Sequence, residues 1–177
     1  MNLPARLFIF TGAVLLIFSA YLIFERYNPQ KLDFKNFELS QTSTSETAPI
    51  RITIPSQNID LGIYPAKIDG KKWEATTYGV SYLSSSPVPG ARGNSILYGH
   101  NWASLLGALP NIKVGDKIKI ELSNGAKYEF TVKFTSTVAP DQTHVLSQTD
   151  DSRITIYTCA GFLDTKRFVA VAFYISG

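Results

Sequence analysis

Hydrophobic and polar residues alternate with a period of two along much of the chain from Ile50 onward. Residues 118–122 and 128–134 both alternate in this way, and the Ser-Asn-Gly-Ala sequence at 123–126 between them predicts a hairpin turn. Short strands bounded by turns are typical of a closed or nearly closed antiparallel barrel, here of about eight strands. One or two short helices are expected beside the barrel, with residues 102–109 the best candidate. The pattern therefore predicts an all-β domain.

An apolar segment near the amino terminus departs from this pattern. Residues 7–24 carry no charged side chain, and the length of this segment is close to the minimum for a membrane-spanning helix. A cleaved signal peptide is the alternative. However, the segment is longer than the usual signal core, and Phe18-Ser19-Ala20 lacks a small residue three positions before the candidate cleavage site. We therefore predict an uncleaved signal anchor at residues 1–24, preceding the barrel as a single transmembrane helix.

The basic residues around this segment leave its orientation open. Arg6 precedes the segment, whereas Arg26, Lys31 and Lys35 follow it. The positive-inside rule alone therefore does not place the amino terminus in the cytoplasm.

Residues 25–49 are expected to connect the anchor to the folded domain. The stretch 41–47 contains only Gln, Thr, Ser and Glu, has no hydrophobic periodicity, and is followed by Ala48-Pro49. A flexible tether of this length spans roughly 25–30 Å on average, enough to lift a domain off a bilayer surface. The chain is thus divided into an anchor at 1–24, a tether at 25–49 and a folded domain at 50–177.

Composition narrows the classes of function. The chain has 177 residues and a net charge of +3, and its 17 basic residues are spread along the sequence, so no nucleic-acid-binding stripe is expected. A single cysteine excludes an internal disulfide and any zinc site with several cysteines. The two histidines, His100 and His144, lack a usual metal-ligand spacing.

The single cysteine lies at the end of a segment that resembles a β-strand, residues 153–159. Side chains alternate between the faces of a strand, so one face carries Ile154, Ile156 and Thr158, and the other carries Thr155, Tyr157 and Cys159. If the isoleucines face the barrel interior, Cys159 points outward into a surface groove. The loop 160–166 would then return the chain and bring Arg167 beside Cys159.

A thiol, an imidazole and a fixed cation are the parts of a cysteine acyl-transfer site. The thiolate attacks a carbonyl, the imidazolium protonates the leaving amine, and the guanidinium stabilises the developing oxyanion. His100, in the sequence Tyr98-Gly99-His100-Asn101, is the candidate imidazole. It must arrive from a strand much earlier in the chain, a contact that only the tertiary structure can test.

These residues resemble the motifs of the sortase family, the cysteine transpeptidases that attach surface proteins to bacterial cell walls or polymerise pilins. The family's Thr-Leu-x-Thr-Cys signature is matched by residues 155–159, with Ile156 in place of Leu. The family's catalytic histidine is matched by His100, and its catalytic arginine by Arg167. Residues 89–97 resemble the family's Pro-Gly and Gly-Asn approach to the histidine. The class stays open, with a D/E-like class one option.

The resemblance implies a sortase-type β-barrel that cleaves a sorting signal similar to Leu-Pro-x-Thr-Gly between Thr and Gly. It assigns Cys159 as the nucleophile, His100 as general acid and base, and Arg167 as the group that stabilises the oxyanion. Thr158 and Ile156 are expected to line the substrate groove. A thioester on Cys159 would be resolved by an amine from a cell-wall precursor or a pilin lysine, or by water. No extended amino-terminal lid is obvious, although residues 31–50 could occupy the groove as one.

The resemblance also indicates partners and location. The partners expected are a sorting-signal peptide, an amine acceptor and the membrane, with the catalytic domain outside the cell. A monomer is the default expectation, independent of the resemblance. A subset of sortases binds calcium, for which Asp141, Asp150 and Asp151 are candidates here. Hard cations need about six or more oxygen ligands in defined geometry, so we expect no cofactor.

Two other functions compete with this interpretation. A peptidoglycan L,D-transpeptidase also uses a cysteine, but its His-Gly and Ser-x-Gly-Cys elements are absent from the sequence. A catalytically silent surface barrel that binds a peptide or a wall polymer would need no reactive thiol. Fast, pH-dependent labelling of Cys159 by iodoacetamide would favour the enzyme over the silent barrel.

Overall fold

The computed structural model describes the backbone of residues 3–26, 32–34, 47–69 and 72–174. Side chains are described for the same residues except 3–6, 25, 26, 69 and 72. Within these residues the protein has one long α-helix, ten β-strands and four short 3-10 helices.

The α-helix α1 (Leu3–Arg26) contains the apolar segment noted in the sequence. Its stretch Leu7–Phe24 has a mean hydropathy of 2.5 over 18 residues, and none of that stretch is buried by the rest of the protein. At 1.5 Å per residue, the 24 residues of α1 reach roughly 36 Å, longer than the hydrocarbon core of a bilayer. α1 is therefore long and apolar enough to cross a membrane.

Eight of the strands close into a barrel, in the order β1-β2-β5-β6-β9-β10-β8-β7. The remaining two, β3 and β4, form a separate two-stranded sheet. The strands are β1 (Pro49–Ile54), β2 (Ile59–Ala66), β3 (Ile68–Asp69), β4 (Lys72–Trp73), β5 (Val80–Leu83), β6 (Gly93–Gly99), β7 (Lys117–Leu122), β8 (Lys127–Val138), β9 (Ser152–Ala160) and β10 (Lys166–Tyr174). The predicted eight-stranded barrel is confirmed.

The expectation of a wholly antiparallel barrel is wrong at two places. The pairs β2–β5 and β6–β9 are parallel, whereas the other six neighbouring pairs are antiparallel. Parallel neighbours cannot be joined by a tight turn, and the chain between β6 and β9 includes the β7–β8 hairpin. Local alternation in the sequence does not reveal such long-range pairing. The hairpin itself is as predicted, and Gly125 adopts a φ of 84° in its turn.

The predicted short helix at 102–109 does not form. This segment is a series of turns that leads into a 3-10 helix at Leu109–Asn111. The N–H groups of Leu105 and Gly107 both donate to the carbonyl of Trp102, each over 2.9 Å, and the N–H of Leu106 donates to the His100 carbonyl over 3.0 Å. These bonds join residues three, five and six positions apart, whereas the bonds of an α-helix join residues four positions apart, so the segment does not form the regular ladder.

Two hydrophobic clusters lie on opposite faces of the sheet that forms the barrel. The inner core fills the barrel and includes Ile52, Ile63, Val80, Leu97, Ile118, Ile120, Phe130, Ile154, Ile156 and Ala170. The outer cluster lies outside the β6, β9 and β10 strands and includes Leu32, Phe34, Trp73, Ile96, Tyr98, Val138, Tyr157, Cys159, Val169 and Val171. The alternation predicted along β9 is therefore confirmed, because its isoleucines face inward and Cys159 faces outward.

Part of the expected tether is packed against the outer cluster. Leu32 is fully buried and Phe34 is 3 % exposed. The ring of Phe34 meets that of Tyr157 edge-on, with 4.9 Å between centroids. At the other end of the expected tether, Pro49 already belongs to β1. The described parts of 25–49 are therefore not a free spacer, and the polar stretch 41–47 lies outside the described residues apart from Thr47.

Candidate active site

Three neighbouring strands place the candidate residues side by side on the outer face of the barrel. Arg167 of β10 is the direct antiparallel partner of Cys159 of β9, so their Cβ atoms are roughly 5 Å apart. On the other side of β9, Gly99 of β6 is in register with Thr158 in a parallel ladder. His100 is the next residue after Gly99 and therefore lies level with Cys159.

The aromatic pair beneath this row fixes which way the side chains point. Tyr98 and Tyr157 are register partners and their rings stack, with centroids 5.3 Å apart and planes 12° from parallel. Because side chains alternate, residues two positions further along these strands face the same side. His100 and Cys159 therefore share the outer face with this tyrosine pair. The structure brings together all three residues that the sequence assigned to catalysis.

The two residues expected to line the substrate groove are both fully buried. Ile156 is fully buried in the inner core, on the face opposite Cys159, so the structure gives it a packing role. Thr158 is also fully buried, and its hydroxyl donates to the Gly99 carbonyl over 2.8 Å. This hydrogen bond joins β9 to β6 at the residues that directly precede Cys159 and His100. In this conformation neither residue has surface that a substrate could contact.

Ile156 offers a test of this packing role. Replacing it by alanine is expected to destabilise the protein by about 2–5 kcal/mol, because the change removes buried methyl groups and leaves a cavity in the barrel. Urea unfolding followed by tryptophan fluorescence measures the change. A Ile50→Ala variant, which truncates a 45 % exposed side chain, is the matched control and should change stability much less. Equal effects from the two variants would contradict the packing role.

His100 lies in a largely apolar setting. It is 4 % exposed, and its ring stacks on Trp102 with 4.4 Å between centroids and 9° between planes. Burial lowers the pKa of His100 below its usual value, and the negative charge of Asp164 opposes that shift. Within the described part of the chain, no group forms a hydrogen bond with its Nε2. A ring nitrogen without a hydrogen-bond partner can exchange a proton with a substrate once the substrate reaches it.

Arg167 is held by backbone carbonyls. It is 3 % exposed, and its Nη1 donates to the carbonyls of Asp164 (3.1 Å) and Lys166 (3.0 Å). Its Nη2 donates to the carbonyl of Asp33 over 2.9 Å, and no described residue accepts from its Nε. These contacts orient the planar guanidinium beside Cys159. They also show that Nη2 can bind a carbonyl oxygen at this position.

The segment Leu32-Asp33-Phe34 covers the site. Leu32 and Phe34 pack in the outer cluster with Cys159, which is only 4 % exposed, and the Asp33 carbonyl occupies one donor of Arg167. The Asp33 carboxylate accepts a hydrogen bond from the backbone N–H of Trp73 over 3.3 Å. A peptide that approached Cys159 and Arg167 would therefore meet this segment first.

Truncating Phe34 is expected to expose the thiol. Removing a buried aromatic ring weakens the attachment of the segment by several kcal/mol, so Phe34→Ala should accelerate alkylation of Cys159 by iodoacetamide by about tenfold or more. Tyr78→Ala removes a ring that is 82 % exposed and should leave the rate unchanged. A melting temperature above the assay temperature for both variants excludes global unfolding. Equal alkylation rates would show that the segment does not limit access.

The acidic residues considered for calcium have other contacts. Asp150 pairs with Arg92 at 2.8 Å, and Asp151 pairs with Arg153. Asp141 lies exposed in a turn. Among the described residues, no three acidic, histidine or cysteine side chains are grouped as metal ligands would be. The absence of a cofactor stays a prediction.

Comparison with known proteins adds an independent finding. Residues 52–174 match the family model of the sortase domain. Sortase A of Listeria monocytogenes is 35% identical over 125 residues, which cover 68% of this chain and 53% of that protein. The alignment thus spans about half the length of the relative.

Solved structures share the fold. Sortase C1 of Streptococcus agalactiae, in complex with MTSET, superposes with a TM-score of 0.63 and 25% identity, over 72% of this chain and 67% of the other. A lid mutant of sortase A from Corynebacterium diphtheriae superposes with a TM-score of 0.64 over 92% of this chain and 95% of the other. Its identity of 21% supports a likeness in fold alone.

Proposed function

The chain belongs to the sortase family, and we propose that it acts as a membrane-anchored cysteine transpeptidase. The observation that carries the proposal is the register of β6, β9 and β10, which sets His100, Cys159 and Arg167 in one row on the outer face. A silent binding barrel would not need a thiol, an imidazole and a guanidinium in this arrangement.

The proposed reaction begins at the thiol of Cys159. Its thiolate attacks the carbonyl carbon of Thr in a sorting signal similar to Leu-Pro-x-Thr-Gly, and the carbonyl oxygen becomes an oxyanion that Arg167 stabilises. The Thr–Gly bond then breaks, and the protonated ring of His100 gives its proton to the departing glycine amine. The product of this half-reaction is a thioester between Cys159 and the Thr carbonyl.

An amine resolves the thioester in the second half-reaction. The neutral ring of His100 takes a proton from the incoming amine as that amine attacks the thioester carbonyl, and the thiolate of Cys159 leaves. Water can replace the amine, in which case the product is a free carboxylate. The thiol, imidazole and guanidinium together supply the nucleophile, the proton and the stabilising charge, so the reaction needs no metal or cofactor.

Location and partners complete the proposal. α1 supports a single membrane anchor at residues 1–24. The domain 50–177 would lie outside the cell, with the residues between them as a connection. The acyl donor would be the sorting signal of a surface protein, and the acceptor a cell-wall precursor or a pilin lysine. We propose that the protein acts as a monomer.

A peptide assay tests the function. The full chain in detergent micelles is incubated with fluorogenic peptides related to Leu-Pro-x-Thr-Gly, with and without added triglycine or a lysine peptide, and products are analysed by mass spectrometry. Cleavage after Thr and transfer to one of the amines are expected. If no peptide is cleaved, and Cys159 is alkylated no faster than an ordinary thiol even in Phe34→Ala, where the covering segment is weakened, the silent binding barrel is the better description.

A further inference from the structure

A hydrogen bond links the two loops that carry the candidate catalytic residues. Asn101, directly after His100, donates from its Nδ2 to Oδ1 of Asp164 over 2.7 Å, and the bond is partly buried. Asp164 belongs to the loop between β9 and β10, three residues before Arg167. This bond therefore connects the His100 side of the site directly to the Arg167 side.

Asp164 reaches Arg167 as well. Its carbonyl accepts from Nη1 of Arg167 over 3.1 Å, while its carboxylate accepts from Asn101. One residue thus contacts Arg167 itself and the immediate neighbour of His100. The second carbonyl on Nη1 is that of Lys166, whose side chain is exposed.

The loop adopts an uncommon backbone conformation at this point. Leu163 and Asp164 have φ values of 52° and 60°, in the left-handed region that residues with a side chain rarely adopt. Such a conformation costs free energy and persists where surrounding contacts determine it. The contacts that hold Asp164 in this conformation include the Asn101 bond, the Arg167 bond and a turn in which the Asp164 N–H donates to the Gly161 carbonyl over 3.2 Å.

The charges around His100 come from three elements. Cys159 on β9 and Arg167 on β10 lie in its row, and Asp164 lies on the loop between those strands. Of these, Asp164 raises the pKa of His100, against the larger lowering that results from burial. Trp102, stacked on the ring, carries no charge.

We propose that Asp164 is the positioning residue of this site. Its carboxylate fixes the His100 loop through Asn101, and its carbonyl fixes the guanidinium of Arg167. The imidazole and the guanidinium are thereby set for the same acyl group. This inference rests on the proposed transpeptidase function, and Asp164 itself is not placed in contact with substrate.

Three variants separate the carboxylate's hydrogen bond from its charge. Asp164→Asn keeps an oxygen that can accept from Asn101 but removes the charge. Asn101→Ala removes the hydrogen bond but keeps the charge. Asp164→Ala removes both. Asp150→Asn, which neutralises a carboxylate whose side chain is 96 % exposed, is the matched control.

The kinetic expectation is a loss in kcat. Asp164→Ala and Asn101→Ala should lower kcat for peptide cleavage by about 10- to 100-fold with little change in KM, because a small displacement of catalytic groups is costly. Asp164→Asn should retain more kcat than Asp164→Ala. The control should match the wild type. The kcat-against-KM split distinguishes misplaced catalytic groups from a loss of substrate affinity.

The second readout does not depend on turnover. NMR of ¹³C-labelled histidine in the full chain gives the titration midpoint of His100, whose signal is assigned by its loss in His100→Gln. Loss of the negative charge should lower this midpoint in Asp164→Asn and Asp164→Ala, while Asp150→Asn leaves it unchanged. Asn101→Ala, which keeps the charge, should shift it less.

The outcomes separate the two proposals. The first outcome is that the wild type cleaves peptide while kcat and the titration midpoint of His100 are unchanged in Asp164→Asn and Asp164→Ala. This outcome would overturn the role of Asp164 and leave the proposed function intact. A wild type that cleaves no peptide, with the midpoint still lowered in Asp164→Asn, would overturn the proposed function while supporting the placement of Asp164 beside His100. Asp164→Asn is nearly isosteric, so its result stands if Asp164→Ala fails to fold.

Discussion

Replacing Cys159 by alanine is expected to abolish cleavage and transfer while leaving the barrel folded. The thiol is the only nucleophile in the row of His100, Cys159 and Arg167, so kcat should fall by roughly 10⁴-fold or more. The fold should persist, because alanine keeps the β-carbon and leaves the packing of the outer cluster largely intact. Peptide cleavage is followed by chromatography, and folding by circular dichroism and thermal unfolding.

His144→Ala is the control for this substitution, since it removes the other histidine, an exposed residue outside the row. Its cleavage rate should equal that of the wild type. Cleavage by Cys159→Ala at a rate near that of the wild type would place the nucleophile elsewhere and contradict the mechanism.

The second large effect is expected for Arg167→Lys, which keeps the charge but loses the forked donors. The guanidinium binds the carbonyls of Asp164 and Lys166 through Nη1 and the Asp33 carbonyl through Nη2, so a substrate carbonyl oxygen would take the place of Asp33 on Nη2 while Nη1 stays held. An ammonium group cannot meet both demands in the same geometry. Loss of an oxyanion donor costs about 10²- to 10³-fold in kcat, and we expect a decrease of that size.

The neighbouring cation provides the control. Lys166→Ala removes an exposed positive charge that precedes Arg167 directly in the sequence. Since its side chain lies on the other face of β10, kcat should change less than about threefold. A similar decrease in both variants would mean that general positive charge, rather than the oriented guanidinium, supports the reaction.

Short-range features of the site could be predicted from the sequence. The alternation along β9 correctly places Ile156 inside and Cys159 outside, and the short loop to β10 correctly brings Arg167 beside Cys159. Both follow from strand geometry over a few residues. The β7–β8 hairpin was predictable for the same reason, because its turn sequence and its flanking strands are contiguous.

Long-range features could not be predicted in the same way. The parallel pairing of β6 with β9 sets His100 beside Cys159, and neither strand's sequence specifies the partner. The bond between Arg167 and Asp33 joins residues 134 positions apart. Asp33 lies in the segment 25–49, whose composition favoured a plain tether. The Asn101–Asp164 bond joins residues 63 positions apart, and no motif in this sequence indicates it. Its only sequence signal is that each residue lies next to, or close to, a candidate catalytic residue.

The segment Leu32-Asp33-Phe34 occupies the site when no substrate is bound. The Asp33 carbonyl accepts from the same guanidinium that the mechanism assigns to the substrate's carbonyl oxygen. Phe34 meanwhile packs on Tyr157, beside the thiol. Under the proposed mechanism, a peptide and the segment Leu32-Asp33-Phe34 would compete for one surface, and the rate of acylation should depend on both.

The most direct test of the proposed thioester mechanism is to measure the mass of the acyl-enzyme. The full chain is mixed with a cleavable sorting-signal peptide, quenched in acid within seconds, and analysed as intact protein and after digestion. The proposed mechanism predicts a mass increase equal to the peptide fragment ending in Thr, located on Cys159 and removed by hydroxylamine or by the acceptor amine. Cleavage without this adduct, or an adduct on another residue, would contradict a thioester mechanism at Cys159.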